Sequence, residues 1–349
     1  MKIVVLAGGL SPERNVSLST GIMVCQALRE RGHAVAFLDM FLGLEGYPPQ
    51  VGDLFHASIP AHFRAINREA PNLSAVKASR KEQSASLFGP GVLSLCQEAD
   101  MVFLALHGAC GEDGRVQATF DLMGIPYTGS GYLGSAIAMD KDYTKRFLTG
   151  TGVKTPEWHT IRADESQVET LMNTLEVPCV LKVLRGGSSL GVSIVKSRSE
   201  LERALRDCLS YDSTLMVEQY IKGREFTCGV LEDAALPTVE IIPQVEFYDY
   251  ESKYQPGATL EICPGRTSKE LEERIRTAAL TVHKALGLSV YSRSDFIVDE
   301  NEQVYFLEVN TLPGMTPTSL VPQEAAAVGM DYGTLCERII AASMSAREV

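Results

Sequence analysis

The chain has 349 residues, too many for one ordinary core, so two or three domains are expected. It is 45% hydrophobic and 22% charged, the balance of a water-soluble globular protein. A formal net charge of −12 excludes DNA or another polyanion as the main partner, because no basic field exists to release counterions; a nucleotide needs only a few local cations.

The opening KIVVLAGG predicts a buried strand of the parallel type ending in a glycine turn, and its apolar run is too short for a signal peptide or a membrane span. VSLSTGIMVCQALRERG has helical apolar spacing and stops at Gly32; AVAFLDM and MVFLALHG follow as strands, and QATFDLMG as a helix. Strands alternating with helices predict an α/β unit on a mostly parallel sheet over residues 1–140. Residues 41–98 are poorly patterned, with EGYPPQ and ASRKEQSASLFGPG read as loops. Eight cysteines form no CxxC pair and match neither a zinc site nor a disulfide framework, so free thiols in a reducing cytoplasm are expected.

Beyond residue 140 the texture changes. DKDYTKRFLTGTG predicts a helix, VPCVLKV and VSIVK a hairpin, SRSELERALRDCL a helix, and TLMVEQYI a strand. A long loop, YDYESKYQPGATLEICPG, precedes the helix SKELEERIRTAALTVHKALG. Two strands within SDFIVDENEQVYFLEVN, a Pro-Gly loop and one C-terminal helix complete the chain. Boundaries fall near 140 and 223, which gives units 1–140, 141–223 and 224–349.

Three glycine motifs compete for a phosphate. GSGYLG at 129–134 matches GxGxxG by spelling, but no strand with an acidic residue follows, so a dinucleotide site is disfavoured. GTGVKT at 150–155 lacks Walker spacing. LRGGSSLG at 184–191 joins the two strands of the predicted hairpin just after Lys182; its glycines free backbone N–H groups and its hydroxyls donate to oxygens. Read alone it fits a flexible hairpin equally well.

The strands RSDFIV and VYFLEVN supply the rest. With Asp295 opposite Glu308, Arg293 faces Asn310 and Ile297 faces Phe306 on one side, while Phe296, Val298, Tyr305, Leu307 and Val309 form an apolar face on the other. Two carboxylates directly opposite repel, and a hard divalent cation between them turns that cost into a binding site. A solvated polar face, or an Arg293–Asp295 pair without metal, is the alternative.

The chain resembles the D-alanine–D-alanine ligases of the ATP-grasp superfamily over essentially its full length. The stretches that carry the resemblance are GGLSPERNVSLSTG, LHGACGEDG, PYTGSG, MDK, LKVLRGGSSLGVS, VEQYIKGREFT, FYDYESKY, SRSDF and FLEVNTLPGMTPTSL, in the family's order. The resemblance implies three α/β units with ATP between the central and C-terminal ones, in a cytoplasmic homodimer that makes a dipeptide for peptidoglycan. It implies that Lys141 and Lys182 contact ATP phosphates, and that Glu218 and Glu225 hold the adenine side and the ribose. Asp295, Glu308 and Asn310 match the ligands of Mg2+ or Mn2+, two ions per site. Glu13 would receive the first D-alanine's ammonium, with Ser188 and Tyr254 as its hydrogen-bonded partners; Lys253 and Ser319 would hold the second D-alanine's carboxylate. Arg293 and the Gly314 N–H would face the oxyanion, His107 a substrate carboxylate, and the loop around 247–257 would close as a lid. Gly186 and Gln219 depart from the family, where Glu and Lys are frequent.

The implied reaction phosphorylates one D-alanine and lets the amine of the other displace the phosphate. Tyr254 favours an amine acceptor over D-lactate, because a neutral side chain there does not repel an incoming ammonium. A ligase for D-lactate or D-serine, an ATP-grasp ligase for other amino acids, and a silent nucleotide-binding module are the alternatives.

Overall fold

The structure, a computed structural model, describes residues 1–48, 52–64, 71–187, 191–243 and 259–347. Three sheets organise it. Strands β1 (Lys2–Ala7), β2 (Ala34–Asp39) and β3 (Met101–Leu104) form a parallel sheet in the order β2-β1-β3. Their runs are apolar on both faces, and Ile3 to Ala7 and Val35 to Leu38 are fully buried, as a parallel sheet covered on both sides requires.

The second sheet is antiparallel: β4 (Trp158–Arg162), β5 (Cys179–Val183), β6 (Val192–Val195) and β7 (Thr214–Gln219) run in the order β4-β7-β5-β6. Cys179, Leu181, Val183, Leu215 and Val217 pack with the helices Val168–Thr174 and Arg198–Leu209. By the two-residue period of a strand, Lys182 and Glu218 lie on the opposite face. The expected hairpin around the glycine motif is present, with Lys182 opposite Val192.

The third sheet is built on β8 (Gly223–Leu231), with β9 (Ala234–Ala235), β10 (Val239–Pro243), β11 (Thr259–Ile262), β12 (Tyr291–Asp299) and β13 (Val304–Asn310) in the order β11-β10-β8-β12-β13, β9 pairing with β8. Phe226, Cys228 and Val230 join Phe296, Val298 and Phe306 against helix Lys269–Ala285. Strand β11 occupies TLEI, inside the stretch read as loop.

The β12–β13 register agrees with the sequence pattern at Arg293–Asn310 and Asp295–Glu308, then departs from it. A bulge between Asp295 and Phe296 adds one residue on β13, so Phe306 pairs with Phe296 and Ile297 with Tyr305. Phe306 therefore belongs to the core, its ring 6.0 Å from that of Phe296, and Tyr305 and Leu307 are only half-buried. The bulge lets one strand carry polar groups at 308 and 310 and a core aromatic at 306 on opposite faces.

One further expectation needed revision. The C-terminal segment forms two helices, Leu320–Ala327 and Tyr332–Ser345, separated by Gly329 at φ +79. Part of the stretch 41–98 is ordered around Arg80, which is 2% exposed. Its guanidinium donates to the carbonyls of Glu82, Ser84 and Ser86 and lies 4.2 Å from the Phe41 ring centroid.

After β1 the chain turns through Gly8 and Gly9, both at positive φ, into helix Arg14–Glu30. A Cβ at Gly8 would fall 2.3 Å from Asp39 Oδ2, so glycine is required there twice over. Asp39 accepts from the Arg14 guanidinium at 2.5 Å and from the N–H groups of Phe41 and Leu42; Arg14 also donates to the Gly9 carbonyl at 2.7 Å. This buried pair fixes the entry of the helix, and with it the neighbouring Glu13. Replacing Asp39 by Ala leaves Arg14 uncompensated, and the expected loss is about 3–5 kcal/mol in urea unfolding. A loss below about 1 kcal/mol would contradict the assignment.

Candidate active site

Glu13 sits at the N-terminus of the first helix, between two glycine backbones. A Cβ on Gly108 would fall 2.7 Å from Glu13 Oε2, and one on Gly187 would fall 2.9 Å from it. Gly187 belongs to the glycine motif, so the hairpin loop reaches the N-terminal unit at this carboxylate. Ser11 ties the same turn down, its hydroxyl donating to the His107 carbonyl at 2.8 Å.

His107 is buried, and both ring nitrogens are engaged. Nδ1 lies 2.9 Å from the Leu312 carbonyl and Nε2 3.1 Å from the Thr20 hydroxyl. A carbonyl only accepts, so Nδ1 carries the proton and Nε2 accepts from Thr20. Burial lowers the imidazole pKa, in keeping with a neutral ring. Beside it lies Glu112, which motif reading passed over although it stands inside LHGACGEDG. Its carboxyl accepts from the N–H groups of Gly108 at 2.8 Å and Leu312 at 3.2 Å. Burial first, and the charge of Glu13 second, push its pKa up to about 8.

Lysines gather on the face of the second sheet away from its helices. Helix Lys141–Leu148 is capped by Asp140, which accepts from the N–H groups of Asp142 and Tyr143 and pairs with Arg185 at 3.0 Å. Lys141 Nζ donates to the Gly186 carbonyl at 2.8 Å and lies 3.4 Å from Glu308 Oε2, so one ammonium joins the glycine loop to the third sheet. Lys182 Nζ lies 2.5 Å from Glu218 Oε2. Lys145, unassigned by motif reading, pairs with the other oxygen of Glu218. It stands one helical turn beyond Lys141, and that four-residue spacing is the signal that could have found it. Burial alone would raise the Glu218 carboxyl, but Lys182 and Lys145 together hold it below the ordinary range.

On the third sheet, Arg293 donates through Nε and Nη2 to the two oxygens of Asp295, both at 2.9 Å. Thr227, opposite on β8, donates to Asp295 Oδ1 at 2.7 Å. Glu308 and Asn310 stand on β13 directly across from Asp295 and Arg293. Asn310 Nδ2 is buried without a hydrogen-bond partner. Among the described residues no group of three or more His, Cys, Asp or Glu side chains forms a metal cluster. The donor set here is two carboxylates and one amide, all oxygen, which suits a hard divalent cation. Glu225 is half-buried on β8, opposite Ile297, and Gly314 lies against Ser319. The Ser319 hydroxyl accepts from the Thr316 N–H at 3.1 Å at the start of helix Leu320–Ala327. Ser188, Lys253, Tyr254 and the lid at 247–257 lie outside the described residues.

The structure thus joins Glu13 to the glycine loop, Lys182 to Glu218, and Lys141 and Arg293 to the carboxylate face. Two antiparallel sheets, one bearing lysines beside a glycine hairpin and the other bearing paired carboxylates, define an ATP-grasp protein. Residues 2–130 match the family model "D-ala D-ala ligase N-terminus" and residues 147–341 match "D-ala D-ala ligase C-terminus". The chain belongs to the D-alanine–D-alanine ligase family. It is 41% identical over 342 residues to the D-alanine–D-alanine ligase of Pediococcus pentosaceus, covering 97% of each chain. It is 40% identical to that of Desulfotalea psychrophila, covering 97% of this chain and 94% of the relative. A crystal structure of the Bacillus anthracis ligase complexed with ATP superposes with a TM-score of 0.73 at 31% identity, over 100% of this chain and 99% of that one. The VanG D-Ala:D-Ser ligase of Enterococcus faecalis gives 0.75 at 28%, over 98% and 99%. The GSGYLG motif leads into the helix Tyr132–Met139.

Glu112 generates a pH prediction. Its folded pKa lies above its unfolded value, so the native state binds the extra proton and stability falls as pH rises from about 4.5 to about 8. Glu112→Gln removes that dependence. Urea unfolding at about pH 5.5 and 8 should show the variant gaining on the parent by more than about 1 kcal/mol at the higher pH. An identical gap at both pH values would contradict the shift.

Proposed function

We propose that this chain joins two D-alanine molecules into D-alanyl-D-alanine at the expense of ATP, giving ADP and phosphate, for peptidoglycan synthesis. The observation that carries the reading is Lys141, whose ammonium spans from the glycine loop to Glu308, so that phosphate-type and metal-type groups meet at one point. Family membership over the full chain and the ATP complex of a related ligase support it.

A carboxylate does not react with an amine, because oxide is a poor leaving group. The γ-phosphoryl group passes to a carboxylate oxygen of the first D-alanine as the bond to the ADP oxygen breaks. The second D-alanine loses a proton, its amine attacks the carbonyl carbon, and the C–O bond to phosphate then breaks. Positioning and charge compensation supply most of the catalysis. Lys141 and Lys182 hold the phosphates, with Glu218 and Glu225 on the adenine and ribose side. Glu13 receives the first ammonium, and Ser188 and Tyr254 complete its hydrogen bonds. Arg293 and the Gly314 N–H face the oxyanion. Lys253 and Ser319 hold the second carboxylate. His107, with both nitrogens engaged, serves the first subsite by tying the 107 turn to the 312 loop.

Asp295, Glu308 and Asn310 would hold Mg2+ or Mn2+, two ions sharing this face, and such ions offset the charge of the phosphates when bound. We divide the chain into units 1–140, 141–223 and 224–349, one per sheet, although Leu148 packs in the core of the third. We place it in the cytoplasm, where ATP is available and its eight free thiols stay reduced. No described helix is long and apolar enough to cross a membrane. A homodimer is supported by exposed Tyr132, Leu133, Tyr143 and Phe147 on consecutive helices.

The test is ADP release over a panel of D-alanine, D-serine, D-lactate and other amino acids. D-Alanine alone should support turnover and yield the dipeptide; ADP release indifferent to D-alanine would refute the reading, and preferred ester formation would move the chain to a depsipeptide ligase. Glu308→Gln should keep the fold and lose ADP formation at ordinary magnesium concentrations. Lys182→Ala should raise the KM for ATP far more than that for D-alanine.

A further inference from the structure

Behind the cleft, two ammonium groups share one carboxylate. Glu218 receives Lys182 Nζ on one oxygen at 2.5 Å and Lys145 Nζ on the other. The two lysines differ in where they come from. Lys182 lies on β5, next to the glycine hairpin and on the cleft face of the sheet. Lys145 comes from helix Lys141–Leu148 and is 1% exposed. Its Nζ also donates to the Pro156 carbonyl at 3.3 Å and lies 5.1 Å from the centroid of the Trp158 ring. Trp158 is in turn fixed by its indole N–H donating to Asp142 Oδ1 at 2.9 Å, and it stands opposite Glu218 in the β4–β7 register. Lys145 is thus enclosed, whereas Lys182 stands beside the glycine hairpin and is 7% exposed, which makes it the lysine placed to meet a ligand there.

The cluster carries two positive charges against one negative. That excess is costly in a buried place unless a further anion completes it. A nucleotide phosphate is such an anion. If Lys182 leaves Glu218 to meet it, the carboxylate must still be paired, since an isolated buried carboxylate costs several kcal/mol. Lys145 already meets that requirement.

We propose that Lys145 is a positioning residue of the nucleotide site, the permanent counter-ion of Glu218 that lets Lys182 exchange a carboxylate for a phosphate. It touches neither ATP nor D-alanine. It holds Glu218 as a fixed acceptor for the adenine side while Lys182 moves. The inference rests on the nucleotide reading of this cleft.

The test compares ADP, which carries phosphate, with adenosine, which does not, by titration calorimetry on the full chain. Lys145→Met is expected to weaken ADP by tenfold or more and to raise the KM for ATP, but to weaken adenosine less than threefold, because without a phosphate Lys182 stays on Glu218; the KM for D-alanine changes less than threefold. Lys182→Met is expected to weaken ADP by tenfold or more but adenosine by less than threefold, because Lys145 still holds Glu218. Lys145→Arg, which keeps the charge, should recover most of the ADP affinity lost in Lys145→Met. Parent-like binding of ADP by Lys145→Met overturns the proposal, as does, in either variant, a loss of adenosine as large as that of ADP. Should Lys145→Met fail to fold, Lys145→Gln is read by the same comparison. A parent chain that binds neither ligand would instead overturn the nucleotide reading itself.

Discussion

The pairing of β12 with β13 sets Asp295 against Glu308, two carboxylates on one face of a sheet, and the rest of the site follows from that repulsion. Asp295 is countered by the Arg293 fork and by the Thr227 hydroxyl, and Glu308 by Lys141, which arrives from a different part of the chain. The bulge after Asp295 makes this possible without opening the core. It keeps Glu308 and Asn310 on the polar face and returns Phe306 to the apolar one. Without that extra residue Phe306 would stand among the charges.

The same device recurs across the cleft. Glu218 is matched by Lys182 and Lys145, and the glycine loop is held to the helix N-terminus through Asp140 and Arg185. Lys141, Lys182 and Arg293 are thus each held against a carboxylate, that of Glu308, Glu218 and Asp295. Preorganised charge of this kind costs little reorganisation at the moment of phosphoryl transfer. Glu112 and Glu324 are the contrast. Burial raises both well above the ordinary carboxylate range, and Glu324 accepts from the Gly229 N–H beneath Arg293. Burial of this sort favours the uncharged form of a carboxyl, which still accepts hydrogen bonds from the backbone.

Local pattern made much of this legible. Continuous apolar runs marked β1 and β2, glycines between two short apolar runs marked the β5–β6 hairpin, and alternation marked the Asp295–Glu308 pairing. The bulge was not legible, because FLEV holds no glycine or proline to announce it, and strict alternation put Phe306 on the wrong face. Strand β8 is not legible for a related reason: Thr227, Cys228 and Gly229 are small and give no clear apolar period, although the strand is central to its sheet. Arg80 and Glu112 were silent because their meaning is tertiary. Arg80 organises carbonyls that follow it in the chain, and Glu112 gains its environment only when residues 108 and 312 meet.

The proposed reaction moves a phosphoryl group onto a carboxylate before any amide forms. Tracing the carboxylate oxygens tests it most directly: D-alanine labelled with 18O in both carboxyl oxygens is turned over with unlabelled ATP, and the inorganic phosphate is analysed by mass. One 18O atom is expected in each phosphate released, carried there as the C–O bond breaks. Unlabelled phosphate, with the dipeptide formed all the same, would contradict it.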